Sequence, residues 1–84
     1  MIKEGDIIIC IKSYYIIDDL TKFIYNKDDT WKIKGIFPGV KYNINAVSIN
    51  TNEVNNFSHD EIKKNWISLA EWRDQQINSI LYGI

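Results

Sequence analysis

Residues 7–11 are apolar at every position, Cys10 included. A strand with one wet face would alternate, so this run predicts a strand buried on both faces with another element behind it. Residues 12–21 carry the doublets Tyr14-Tyr15, Ile16-Ile17 and Asp18-Asp19, which give no clean period and read as a long loop. Phe23-Ile24-Tyr25 reads as a short strand, and residues 26–30 as a polar turn. From Trp31 to Phe37 the pattern alternates, with Trp31, Ile33, Gly35 and Phe37 on one face and Lys32, Lys34 and Ile36 on the other. Pro38-Gly39 breaks the chain, and residues 40–49 alternate again through Tyr42, Ile44 and Ala46.

If Phe37 and Val40 face each other across that turn, a register follows. It pairs Gly35 with Tyr42, Ile33 with Ile44 and Trp31 with Ala46 on the inner face, and Lys34 with Asn43 and Lys32 with Asn45 on the outer one. Both apolar sets then share a side, and a tyrosine ring covers the strand glycine. An L-Pro-Gly pair favours a type II turn, however, whose twist splays a tight hairpin.

Val54 to Phe57 reads as another short strand. Ser58-His59-Asp60-Glu61 then fits a capping box that opens a helix ending near Asn65. Trp66-Ile67 continues in extended form. Ser68-Leu69-Ala70-Glu71 is a second capping box, opening a longer helix with a stop near Gly83. On a helical wheel Leu69, Ala70, Trp72, Ile77, Ile80, Leu81 and Ile84 form one broad apolar arc, opposite Glu71, Asp74, Gln75, Asn78 and Ser79. Arg73 and Gln76 point into the arc, where their stems can pack and their heads reach solvent, or where they can serve a protein–protein seam.

This order is that of a mainly β chain with a C-terminal α-helix: a small antiparallel SH3-like barrel plus a helical extension. The alternative is an α+β arrangement, a helix packed on an open antiparallel sheet. One domain is expected over residues 1–84, with the barrel in 1–67 and the amphipathic helix in 68–83. The helix is the expected cover for the second face of the first strand.

Composition narrows the function. The chain has 84 residues and a formal net charge of −1. A chain this short has little interior for an enclosed pocket beside a core. Its charge is not that of a dedicated nucleic-acid binder. It holds 17 Ile, 9 Asn and 9 Lys but one Arg and two Ala, a bias toward AT-rich codons that makes the lysines and asparagines poor evidence of function by their number alone. No apolar run approaches membrane-spanning length, and the N-terminus lacks the basic, apolar and cleavage regions of a signal peptide, so a soluble cytoplasmic protein is expected.

The chemistry of a site is sparse. Cys10 and His59 are single, so a His/Cys metal site cannot be assembled, and the pairs Asp18-Asp19 and Asp28-Asp29 do not continue into a calcium loop. His59 beside Ser58 is explained by capping, Cys10 by burial, and the four glycines form no phosphate loop. No catalytic residue, metal or cofactor is expected, and the chain reads as a non-enzyme. Two surface features remain. The outer face of the central hairpin brings Lys32, Lys34, Lys41, Asn43 and Asn45 together without an acid, which suits phosphates or nucleic-acid edges, or is an ordinary solvated face that deters edge pairing. Tyr14 and Tyr15 are hard to bury together in a polar loop, so one of them is a candidate contact residue.

The opening Gly5-Asp6-Ile7-Ile8-Ile9-Cys10-Ile11, the strand Trp31-Lys32-Ile33-Lys34-Gly35-Ile36 and the step Trp66-Ile67-Ser68-Leu69-Ala70-Glu71-Trp72-Arg73 resemble small SH3-like accessory proteins of phages and prophages from low-GC bacteria. The resemblance covers most of the chain and rests on structural motifs. It implies a non-catalytic protein that binds and blocks a host protein, as counter-defence inhibitors including anti-CRISPRs do. The contact residues expected for such a role are Tyr14, Tyr15, Lys32, Lys34, Lys41, Asn43, Asn45, Trp72, Arg73 and Gln76. The alternatives are a nucleic-acid or nucleotide module using the Lys/Asn face, and a structural subunit forming a homodimer through the C-terminal helix.

Overall fold

A computed structural model describes residues 2–82, without the side chains of Asp18 and of residues 78–82. The expected helix stop at Gly83, the arc position Ile84, and the side chains of Ile80 and Leu81 lie outside this description.

The chain is mainly β. Strands β1 (Ile7–Cys10), β2 (Tyr14–Asp18), β3 (Thr21–Tyr25), β4 (Thr30–Ile36), β5 (Ile44–Ser48) and β6 (Val54–Phe57) are followed by helix α1 (His59–Asn65), strand β7 (Trp66–Ser68) and helix α2 (Leu69–Tyr82). Five strands form one antiparallel sheet in the order β6-β5-β4-β1-β7, and β2 and β3 form a separate hairpin. β1 is an interior strand between β4 and β7, with Ile8 opposite both Trp31 and Ser68, and Cys10 opposite Trp66. Its unbroken apolar run is explained by that place. Ile8 and Cys10 face the main core, Ile9 is buried on the other side, and α2 packs against β1 and β7.

The sheet is strongly coiled. β6 and β7 are its two ends, and flat strands spaced by about 4.8 Å would hold them roughly 19 Å apart. Instead Phe57 of β6 and Trp66 of β7 meet edge to face, with ring centroids 5.4 Å apart. Trp31 and Tyr25 join them at 5.3 Å and 5.1 Å from Phe57, making an aromatic core under the curl. Edge-to-face pairs of this kind contribute about 0.5–1.5 kcal/mol each beyond the area they bury. Among the described residues the ends are not joined by a ladder. The strand order is that of the SH3-like arrangement, and the coiled open sheet with a helix against it describes it equally well.

Two expectations are corrected here. Residues 12–21 are not a long loop: β2 and β3 pair in register from Tyr14↔Tyr25 to Asp18↔Thr21. Alternation was hidden because both faces carry apolar residues, with Tyr14 and Ile16 turned inward and Tyr15 and Ile17 outward. The turn puts Asp19 and Leu20 at φ 44° and 71°, a left-handed pair that suits the twist of a hairpin but is costly for leucine.

The register of the central hairpin also differs. Ile33 pairs with Ala46 and Trp31 with Ser48, and a bulge between Ile33 and Gly35 then sets Gly35 opposite Asn45 and Ile36 opposite Ile44. Pro38-Gly39 forms a turn, but that turn does not join the paired strands. Gly39 adopts φ +87°, the chain stays open through residues 37–43, and the Phe37 N–H donates to the Asn43 carbonyl at 2.8 Å where the strands rejoin. The ring over Gly35 is that of Phe37, 3.2 Å from where a β-carbon would stand, and not that of Tyr42. Inward alternation of Trp31, Ile33, Ile44 and Ala46 is nevertheless kept, because the shift before the bulge is an even number of residues.

The Ser58 capping box forms in full. The Glu61 N–H donates to Ser58 Oγ at 3.1 Å, and the Ser58 N–H to Glu61 Oε1 at 3.3 Å. At the start of α2 the Glu71 N–H donates to Ser68 Oγ at 3.2 Å. Among the described side chains of its apolar arc, Leu69 and Trp72 at the beginning of α2 are half-buried, whereas Ala70 and Ile77 are exposed. Among the described residues no helix is long and apolar enough to cross a membrane.

Candidate binding groove

The hairpin β2–β3 lies over one end of the coiled sheet and leaves a groove of about 410 Å³ beside β6. Ile16 and Phe23 form its hairpin wall, with Tyr25 behind them. Tyr42 closes it from the 37–43 loop, Asn45 comes from β5, and Val54, Asn55 and Asn56 come from β6. β6 is an end strand, so its outer backbone edge has no strand partner among the described residues.

The polar groups of the groove are held in place. The Asn55 Nδ2 donates to the Tyr25 hydroxyl oxygen at 3.1 Å, and the Asn45 Nδ2 donates to Asn56 Oδ1 at 2.9 Å. Burial, together with the nearby Glu61 charge, pushes the Tyr25 hydroxyl up to about 12, so it stays protonated near neutral pH. Behind the groove Tyr14 stacks on Tyr25 with centroids 5.0 Å apart. Its hydroxyl donates to Glu61 Oε2 at 2.5 Å and accepts from the Trp66 indole N–H at 2.7 Å. Burial of the Glu61 side chain raises its pKa above the usual carboxylate range, against the lowering effect of its bonds from Tyr14 and Ser58. One hydroxyl therefore ties the hairpin to α1 and β7.

The expected contact residues separate into different roles. Tyr14 is turned inward and used by the structure, while Tyr15 is 60% exposed with the Lys22 ammonium 4.5 Å from its ring centre. The Lys/Asn set does not form the paired face expected of it, because the bulge and the open loop break the assumed register. Lys32 lies opposite Val47 rather than Asn45, and Lys34 sits at the bulge. Lys41 and Asn43 belong to the loop, and Asn45 is occupied by Asn56. All three lysines are exposed. Asn43 is half-buried, and among the described residues its Oδ1 has no hydrogen-bond partner. On α2, Arg73 and Gln76 are exposed and Trp72 half-buried; Arg73 borders a second crevice where Ile2, Asp6 and Ile7 approach the start of the helix.

Sequence reasoning singled out Asn45 on the outer hairpin face; it placed Tyr42 on the inner face over Gly35, and it did not reach Ile16, Phe23, Tyr25, Val54, Asn55 or Asn56 as site residues. The visible signal was the Asn55-Asn56 amide pair inside a strand pattern, where asparagine is disfavoured. Of the groups weighed for chemistry, Cys10 is buried, its thiol donating to the Lys12 carbonyl at 3.3 Å, and burial raises its pKa. Asp29 accepts from the Asn26 N–H within a turn. Among the described residues no three His, Cys, Asp or Glu side chains gather in a way that could hold a metal ion. Comparison with protein-family models, curated proteins and solved structures returned no match.

Proposed function

We propose that this chain is a non-catalytic binding module that takes up a segment of another protein in the groove beside β6. The setting implied by its sequence resemblance is a phage- or prophage-encoded accessory protein, a counter-defence inhibitor of the anti-CRISPR kind that blocks a host protein by occupying it. The observation that carries the reading is the make-up of the groove: an apolar and aromatic lining, three amide side chains, and the edge of an end strand at its border. Apolar walls take up side chains, while amides and a strand edge offer donors and acceptors to an extended backbone. Val54 of the lining is itself exposed, and the loop that carries Tyr42 holds two more exposed apolar groups, Phe37 and Val40.

Selection of short random displayed peptides on the immobilised chain tests this reading. Val54 is 56% exposed, so Val54→Arg changes the rim without disturbing the core. Peptides selected on the wild-type chain are expected to bind Val54→Arg and Tyr42→Ala at least about tenfold more weakly by fluorescence polarisation. Circular dichroism would establish that both variants are folded. Undiminished binding to both variants would sink the groove as the working surface.

A further inference from the structure

We infer that the segment received by this groove enters as an added β-strand: an extended stretch of another protein that pairs with the outer edge of β6, placing an apolar residue opposite Asn55 and a basic one opposite Glu53. This rests on the groove being a protein-binding surface and names the conformation and chemistry of what fills it.

The lining shows where the groove runs. Val54, Asn55 and Asn56 are consecutive, and all three border it. Neighbouring residues of a strand point to opposite faces, so a groove on one face would take every second residue. A groove that takes three in a row follows the edge of the strand. The pairing with β5 tells which backbone groups that edge holds. The Ser48 N–H donates to the Glu53 carbonyl at 2.8 Å, so Ser48 and Glu53 are a hydrogen-bonded pair. Bonded and unbonded pairs alternate along an antiparallel ladder. The register therefore turns the backbones of Asn55 and Phe57 toward Ala46 and Ile44, and directs the N–H and C=O groups of Val54 and Asn56 away from β5. Among the described residues no strand pairs with that edge. Within Val54–Phe57 there is no charge, no proline and no register shift, the usual means of closing an edge.

The pleat then assigns the side chains of a strand laid there. The residue opposite Asn55 lies on the face of Asn55, whose amide reaches the Tyr25 hydroxyl, and so meets the hairpin wall of Ile16 and Phe23. Glu53 shares that face, two residues before Asn55. Its carboxylate, like that of Glu61, acts on the Tyr25 hydroxyl. Glu61 is buried and already bonded to Tyr14 and Ser58, whereas Glu53 is exposed beside the first groove residue of β6. A basic residue opposite Glu53 makes a cross-strand ion pair, and an acidic one is repelled. A polyproline segment has no N–H to give the edge, and a helix spends its own internally, so neither uses the open groups of Val54 and Asn56. Strand addition uses them and fills the apolar wall at the same time.

The test uses the full chain and the displayed peptides of the preceding experiment. Selected peptides are expected to carry an apolar residue and a Lys or Arg two positions apart, with no proline between them. The backbone nitrogens of one such peptide are then methylated one at a time and binding is read by fluorescence polarisation. Affinity should fall at least about tenfold at every second position and hold at those between. Glu53→Lys should weaken the peptides at least about threefold, and exchanging their basic residue for Glu should restore binding to that variant. Methylation tolerated everywhere, or felt with a spacing other than two, would overturn the added strand while weaker binding to Val54→Arg kept the groove. Selected peptides without a basic residue, or binding indifferent to Glu53→Lys, would overturn the charge assigned to the partner. Failure to select any peptide, or undiminished binding to both Val54→Arg and Tyr42→Ala, would remove the groove reading and this inference with it. A chain that sediments as a dimer, and as a monomer once Val54→Arg is made, would give the edge to a second copy and overturn the proposal.

Discussion

Glu61 performs two jobs that pull its carboxyl in opposite directions. One oxygen closes the capping box of α1, and the other accepts from Tyr14 inside the molecule, where only 7% of the residue is exposed. Burial wins, and the folded-state pKa stands above the unfolded value. The folded chain therefore holds the proton more tightly than the unfolded one. The stability contributed by Glu61 is full below the unfolded pKa and is lost as the pH rises through the folded pKa. This is the reverse of a surface carboxylate paired with a cation. Glu61→Gln keeps an acceptor for the Ser58 N–H but cannot titrate. Urea unfolding across this range is expected to show the wild type losing stability relative to Glu61→Gln as the pH rises from the ordinary glutamate range. Parallel curves would mean that the buried carboxyl does not titrate with folding. At the other end of the hairpin, Leu20 is fully exposed in a left-handed conformation that asparagine or glycine would adopt at less cost. No contact within the described structure explains a leucine there.

Helix starts in this chain depend on two serines with unequal surroundings. Ser58 is buried and its capping bonds run in both directions, while the bond at Ser68 is exposed. Ser58→Ala is expected to cost about 1–2 kcal/mol and Ser68→Ala about 0.5 kcal/mol, read from urea midpoints at a constant slope. Equal costs would show that burial adds nothing to the first cap. Both starts were legible in the sequence because capping is a local code, read within four residues. The same locality made β1, β6 and α1 readable, the first from its unbroken apolar run. The hairpin register was not readable, because a bulge at Lys34 and an open loop over 37–43 shift the pairing without leaving a mark in the alternation. The hairpin β2–β3 was missed for a different reason. A strand with apolar residues on both faces has no period, and only its position between core and solvent separates Tyr14 from Tyr15. The groove was least legible of all. Its residues come from the hairpin, the loop, β5 and β6, and no spacing in the sequence unites them.

At the scale of the whole molecule there are two sheets and one core. Backbone bonds link Cys10 to Asp28 and Asp29 at the foot of the hairpin, but strands β2 and β3 pair only with each other. What seats the hairpin is side-chain chemistry: the rings of Tyr14 and Tyr25, the Tyr14–Glu61 and Trp66–Tyr14 bonds, and the Asn55–Tyr25 bond. Amide hydrogen exchange is therefore expected to find the hairpin less protected than β1, β4 and β5, opening as a unit of its own. Equal protection across both sheets would show that they open only together. The groove has one wall on each unit, so opening of the hairpin would also widen the groove. The interior place of β1, paired on both edges, has a consequence for synthesis. The ribosome delivers this strand well before the partner for its second edge, Trp66–Ser68. A nascent chain carries its most apolar strand with a bare edge until Trp66–Ser68 follows, and a product cut short before Trp66 keeps it. Chains truncated before Trp66 are thus expected to aggregate, while synthesis of β7 allows that edge to be covered.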